Sequence, residues 1–196
     1  MEQHWIAASM YPGLAAAAFQ FVVSKDPWVC ASAALYSLVC LNSASYHHHL
    51  GHLGHLGHLD RGPVAVRLKR ADYVSQALLI ATNCLLTHTR TTDAPVAVGA
   101  LVVVACLWLP VLPFVVDVVD DGFIIEGLHA AATAYAVYPF KGVAVKSAVA
   151  IVCVLLRRKT ATFYAAFHTA FHLILHAGMV EYWGAVTYIT GPKLTL

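Results

Sequence analysis

Long apolar stretches alternate with short polar interruptions along the whole chain. A helix needs about 20 apolar residues to cross the roughly 30 Å hydrocarbon core of a bilayer. Seven segments come close: about Trp5–Val23, Trp28–Tyr46, Ala71–Thr87, Val96–Phe114, Gly122–Tyr138, Gly142–Leu156 and Ala161–Val180. They predict an all-α, polytopic bundle of seven transmembrane helices, built as a single domain over residues 1–196. The fifth and sixth segments are divided at Pro139-Phe140-Lys141-Gly142. A proline there ends or kinks a helix, and a lysine at membrane depth is costly unless it reaches the interface. Six spans with one broken helix is the alternative. Pro110 and Pro113 mark a further kink or helix end.

Composition agrees with this reading. Of 196 residues, 60% are hydrophobic and 11% charged, with mean hydropathy +0.70. A soluble domain carries about 25% charged residues, so this surface is not built for water. Net charge is +2, and the basic residues cluster near helix ends, which excludes a nucleic-acid footprint and fits loops that orient a membrane protein. With seven spans, Arg61, Arg67, Lys69, Arg70, Arg157, Arg158 and Lys159 share the side of the N-terminus; Lys25, Arg90, Lys141 and Lys193 lie opposite. The positive-inside rule then favours a cytoplasmic N-terminus in a multi-pass protein. Met1–Pro27 lacks a basic leader and reads as a first span rather than a cleaved signal. Five cysteines, Cys30, Cys40, Cys84, Cys106 and Cys153, are scattered through apolar stretches without a CxxC and read as small buried hydrophobes.

Between the second and third segments, a His-rich loop is expected at about 47–62. His47, His48 and His49 lead into Gly51-His52-Leu53, Gly54-His55-Leu56 and Gly57-His58-Leu59. Glycine at every third position disfavours a helix, so a flexible loop is expected. Its functional reading is a metal-gathering tract; its plain reading is a tandem expansion tolerated in an exposed loop.

Ionisable groups inside a span are expensive, which makes each a candidate for function. The seventh segment holds His168 and His172, four apart and therefore stacked on one helical face. Two imidazoles so placed can grip one metal ion. His176 adds a possible donor one turn further, rotated partly away. Ser43 and His47 share a face at the end of the second segment, and Asp72 stands at the first turn of the third. These ends meet at the face where the seventh segment begins, with His168 about two turns in, so His47, Asp72, His168 and His172 can converge. Three neutral imidazoles suit zinc and leave a fourth position for water, whose pKa can fall to about 7. Asp72 can orient that water, and Ser43 can donate to it or to a developing oxyanion. A lone membrane histidine more often bonds a neighbouring helix than a metal; the combination is what carries the reading.

The pattern Ser43-x-x-x-His47, Asp72-Tyr73, His168-x-x-x-His172 resembles the seven-helix membrane hydrolase superfamily often called CREST. That superfamily includes alkaline ceramidases, progestin and adipoQ receptors with bacterial hemolysin III proteins, and myomaker-related proteins. Arg70-Ala71-Asp72-Tyr73 leading to Ala77-Leu78-Leu79-Ile80-Ala81, and Phe167-His168-Thr169-Ala170-Phe171-His172-Leu173, are similar to the adipoQ receptor branch. Ser43-Ala44-Ser45-Tyr46-His47 looks like the hemolysin III version. The likeness runs from the second segment to the seventh and rests on the motif positions alone.

The resemblance implies Zn2+ held by His47, His168 and His172, with Asp72 against the zinc-bound water and Ser43 beside it. His48 and His49 are competing candidates for the His47 position. The expected function is hydrolysis of a lipid amide or ester, with Asp72 as base, Ser43 as oxyanion donor, and the acyl chains of the substrate among the helices. The alternative is a non-catalytic receptor-like or membrane-remodelling protein in which zinc only staples helices. The sequence leaves the oligomeric state unknown. Glu126 and His129 form a Glu-x-x-His pair, but a di-iron bundle needs a second copy and further carboxylates that are missing from the sequence. Lys146 lies in the sixth segment, where a lysine more often snorkels than carries a retinal Schiff base.

Overall fold

The computed structural model describes residues 2–55, 62–91, 123–137, 139–159 and 163–190. The described residues fold almost entirely into helix: α1 Glu2–Ala8, α2 Tyr11–Val23, α3 Pro27–His55, α4 Gly62–Arg90, α5 Phe123–Val137, α6 Lys141–Lys159 and α7 Tyr164–Thr190. The all-α expectation holds among these residues. Six of the seven apolar segments coincide with helices, while the fourth, 96–114, lies outside the described residues.

Two segments, Glu2–Val23 and Pro27–His52, are long and apolar enough to cross a membrane, at mean hydropathies of 1.5 and 1.3. The other described helices are shorter or more polar. α5 has 15 residues. α4 carries Arg67, Lys69, Arg70, Asp72 and Arg90, and α6 carries Lys141, Lys146 and the run Arg157-Arg158-Lys159. α7 is long, but three histidines and Glu181 lower its hydropathy.

The first apolar segment is two helices rather than one. Pro12 lacks the N–H that would pair with the Ala8 carbonyl, so the ladder is interrupted and α2 starts afresh at Tyr11. At the joint, Met10 N–H bonds the Ala7 carbonyl three residues back and Leu14 N–H bonds the Met10 carbonyl. The division at Pro139–Gly142 is real: α5 ends at Val137, and α6 begins at Lys141.

The expected loop from His47 is a correction. α3 continues as helix through His49 and on to His55, so the histidine run and the first repeats are helical; 56–61 lie outside the described residues. Glycine costs about 1 kcal/mol of helix propensity. Here that cost is met by a close approach: Gly51 is buried, and a β-carbon on it would stand 2.9 Å from the His4 ring of α1.

Sequence neighbours pack pairwise (α2 on α3, α3 on α4, α4 on α5, α5 on α6, α6 on α7), and α7 also returns to α1, α2, α3 and α4. The interior holds polar side chains that hold each other. Ser32 on α3 donates to Asn83 Oδ1 on α4 (2.7 Å) and accepts from Trp183 Nε1 on α7 (3.0 Å). Tyr182 on α7 donates to the Asn83 carbonyl (2.9 Å), and Thr87 on α4 donates to the Ala136 carbonyl of α5 (2.7 Å). Away from water such bonds are strengthened, and together they fix the relative register of four helices. Lys146 of α6 forms an ion pair with Glu181 of α7.

At the end of the bundle away from His47, Asp26 caps α3. Its Oδ1 accepts the Trp28 N–H (2.9 Å), with Pro27 at the first helical position, while Oδ2 pairs with Arg90 of α4 at 2.7 Å. The outward faces are apolar: Phe19 and Val22 on α2, Leu38 and Leu41 on α3, and the stripe Val145, Val149, Val152, Leu156 on α6 are exposed. The four described cysteines are free, and Cys40, Cys84 and Cys153 are buried, as expected for small hydrophobes.

One contact tests this packing. A β-carbon at Gly13 of α2 would lie 2.3 Å from the His176 ring and 3.0 Å from Cys40 Sγ. Gly13→Ala is therefore expected to destabilise the fold by about 1–3 kcal/mol through overpacking, read as a lowered thermal midpoint. Gly184→Ala, which meets open space inside α7, is the control and should hold or slightly raise the midpoint, since alanine is the better helix former.

Candidate metal centre

His168 and His172 project from one face of α7, which begins at Tyr164 and so places His168 one turn in rather than two. His47 projects from α3 beside them. One ring nitrogen from each of the three lies within 4.8 Å of the other two, and all three residues are buried. Ring centroids are 4.7 Å apart for His47–His168 and His168–His172, and 6.0 Å for His47–His172. This is a three-histidine group able to hold a metal ion. Ligand nitrogens at 2.0–2.1 Å from a tetrahedral ion stand about 3.4 Å apart, so small χ rotations close the set.

The hydrogen bonds behind the rings decide which nitrogen each can offer. His47 Nδ1 lies 2.8 Å from Gln3 Oε1 of α1. A carbonyl oxygen only accepts, so Nδ1 carries a proton, and in the neutral imidazole the lone pair is on Nε2. His172 Nδ1 lies 2.7 Å from Ser9 Oγ, at the α1–α2 joint. The single Ser9 hydroxyl proton goes to the Ile6 carbonyl (2.6 Å), so Ser9 accepts from His172 Nδ1–H, and Nε2 again holds the lone pair. His168 Nδ1 is 3.1 Å from the Tyr164 hydroxyl one turn back, a group that can accept from Nδ1–H or donate to the bare nitrogen. A partner on the second ring nitrogen that fixes tautomer and orientation is the habitual support of metal-bound histidine. The donor set fits zinc: three buried imidazoles and no thiolate.

His176 is placed differently and is not a member of the group. Its Nε2–H donates to the Ser9 carbonyl at 2.8 Å, and its Nδ1 accepts from the Tyr36 hydroxyl at 2.5 Å, so both nitrogens are spent on protein partners. The His48 ring instead meets His4 edge-on, with centroids 5.1 Å apart, outside the triad. His47 is thus the residue of the His47–His49 run that joins it.

Asp72 and Ser43 are both buried. Ser43 lies one turn before His47 on the same helix. Asp72 stands some three turns into α4, because that helix begins at Gly62 and not at Ala71 as expected. Asn42 of α3 donates to the Ala71 carbonyl at 3.2 Å, which brings the Asp72 turn level with the Ser43 turn. His129 donates from Nδ1 to Gln76 Oε1 (3.2 Å) and packs edge-on against Tyr73, while its buried Nε2 meets no hydrogen-bond partner among the described residues. The Glu126 side chain lies outside the described residues.

Sequence reasoning missed Gln3, Ser9 and Tyr164. Only Tyr164 left a local trace, standing four residues before His168; the others act across more than 40 positions of chain. No protein family, characterised protein or solved structure matches this chain.

If Gln3 and Ser9 fix the ligand tautomers, Gln3→Leu and Ser9→Ala should each weaken metal binding about 10–100-fold, measured by competition with a chromophoric chelator. Gln3→Glu, which keeps an acceptor facing His47 Nδ1–H, should retain binding.

Proposed function

We propose that the chain is a multi-pass membrane protein with a zinc-dependent hydrolase site, acting on a lipid amide or ester in the manner of the CREST superfamily. The observation that carries the proposal is the buried triad His47, His168 and His172, with each Nδ1 engaged from outside. Exposed apolar faces around a polar interior support the membrane setting, since soluble monomers rarely present such surfaces to water. All seven apolar segments would then lie in the bilayer, with the N-terminus cytoplasmic.

When bound, zinc supplies a Lewis acid and acidifies a coordinated water enough for use at neutral pH. The protein's own groups do the rest. Asp72, buried level with the triad end of α3, holds or accepts the proton. Ser43 Oγ donates a hydrogen bond to the carbonyl oxygen as negative charge develops on it. The apolar bundle accommodates acyl chains and excludes bulk water from the site. A zinc that merely ties α3 to α7 is the competing reading.

Elemental analysis of untagged protein bearing the outer substitutions His48→Ala and His52→Ala should give about one zinc per chain, absent from His168→Ala/His172→Ala. Asp72→Asn and Ser43→Ala should keep that zinc and lose turnover of ceramide-like amides or acyl esters, by about 10²-fold or more. Zinc without turnover of either class would establish the tie and overturn the hydrolase.

A further inference from the structure

A second set of histidines lies on the outside of the same helix end. His48 and His52 of α3 are both exposed and four residues apart, which puts their β-carbons about 5–6 Å from one another on one face. His4 of α1 reaches this face from the neighbouring helix. Its ring meets His48 edge-on at 5.1 Å between centroids and lies over Gly51, where a β-carbon would stand 2.9 Å away.

The three rings are not gathered as the inner triad is, but His48 and His52 are exposed, and rotation of their side chains closes the set around one ion. Two imidazoles bound to a tetrahedral ion at about 2.1 Å, with another ~1.1 Å from nitrogen to ring centre, place their centroids roughly 5 Å apart. The His4–His48 separation is already at that value. An i, i+4 histidine pair supplies two donors to one ion by helix geometry alone, as His168 and His172 do inside. Glycine at 51 is what lets the His4 imidazole approach the backbone between the pair, and a side chain there would displace it.

We propose that His4, His48 and His52 form a second, solvent-exposed cation site, selective for borderline divalent ions of the zinc class, separate from the buried triad. Its ligands are imidazoles without thiolate, and its position on the surface leaves remaining coordination positions to water, so it binds more weakly than the inner site. It joins α1 to α3 from outside, while Gln3, the adjacent residue of α1, bonds inner His47. This site stands whether or not the inner one is catalytic.

The test is zinc chloride titration of the full-length, untagged protein in detergent, followed by equilibrium dialysis and elemental analysis. Two zinc ions per chain are expected, one tight and one weaker. His48→Ala/His52→Ala should remove only the weaker ion, and His4→Ala should weaken it by about tenfold or more. His168→Ala/His172→Ala should remove only the tight one. His55→Ala/His58→Ala, which strips histidines from the rest of the repeat, should keep both. A wild-type protein that binds no zinc beyond the ion lost in His168→Ala/His172→Ala overturns the proposal. So does a weaker ion retained in His48→Ala/His52→Ala, or lost as fully in His55→Ala/His58→Ala. If the triad binds nothing, a single zinc lost in His48→Ala/His52→Ala still supports the outer site. Both exposed substitutions should leave the thermal midpoint of the metal-free protein unchanged.

Discussion

An imidazole taken out of water carries two nitrogens that both need a partner, and this demand organises one end of the bundle. His176 meets it with protein alone: the Tyr36 hydroxyl on one nitrogen and the Ser9 carbonyl on the other. His47 and His172 have their Nδ1 protons taken by Gln3 and Ser9, which turns the other nitrogen of each toward the shared group. The N-terminal helix is therefore part of the site. Pro12 breaks the first apolar segment where Ser9 is needed, leaving its hydroxyl for His172 and its carbonyl for His176. Gly13, one residue beyond Pro12, makes room for the His176 ring.

A second polar layer holds the frame on which this end depends. Ser32, Asn83, Thr87, Tyr182 and Trp183 tie α3, α4, α5 and α7 through paired hydrogen bonds. At the far end Asp26 both caps α3 and pairs with Arg90 of α4. Polar groups inside and apolar groups outside is the distribution that a hydrocarbon solvent rewards, because lipid offers no partner to a stray donor or acceptor. The same frame aligns the Ser43 turn of α3 with the Asp72 turn of α4 through Asn42 and the Ala71 carbonyl.

What the sequence made legible was local. The four-residue spacing of His168 and His172 fixes their common face whatever surrounds them, and His47 was readable as the polar end of an apolar segment. Pro139 correctly divided two helices. What it hid was set by distant contacts. Gln3 and Ser9 bond residues 44 and 163 positions away, and no periodicity announces that. His176 has the same local spacing as the ligands, yet Tyr36, 140 positions off, removes it from the group. The histidine repeat was misjudged for the converse reason. Glycine propensity is a local penalty, and it was overridden by the approach of His4 to Gly51.

The central claim is that three imidazoles, and no sulfur, hold a metal inside this bundle. X-ray absorption at the zinc edge, on metal-loaded protein carrying His48→Ala and His52→Ala, tests it most directly. The account predicts a nitrogen and oxygen shell at about 2.0–2.1 Å with the outer-shell scattering of three imidazoles. A sulfur shell near 2.3 Å, or scattering from fewer than three imidazoles, would contradict it.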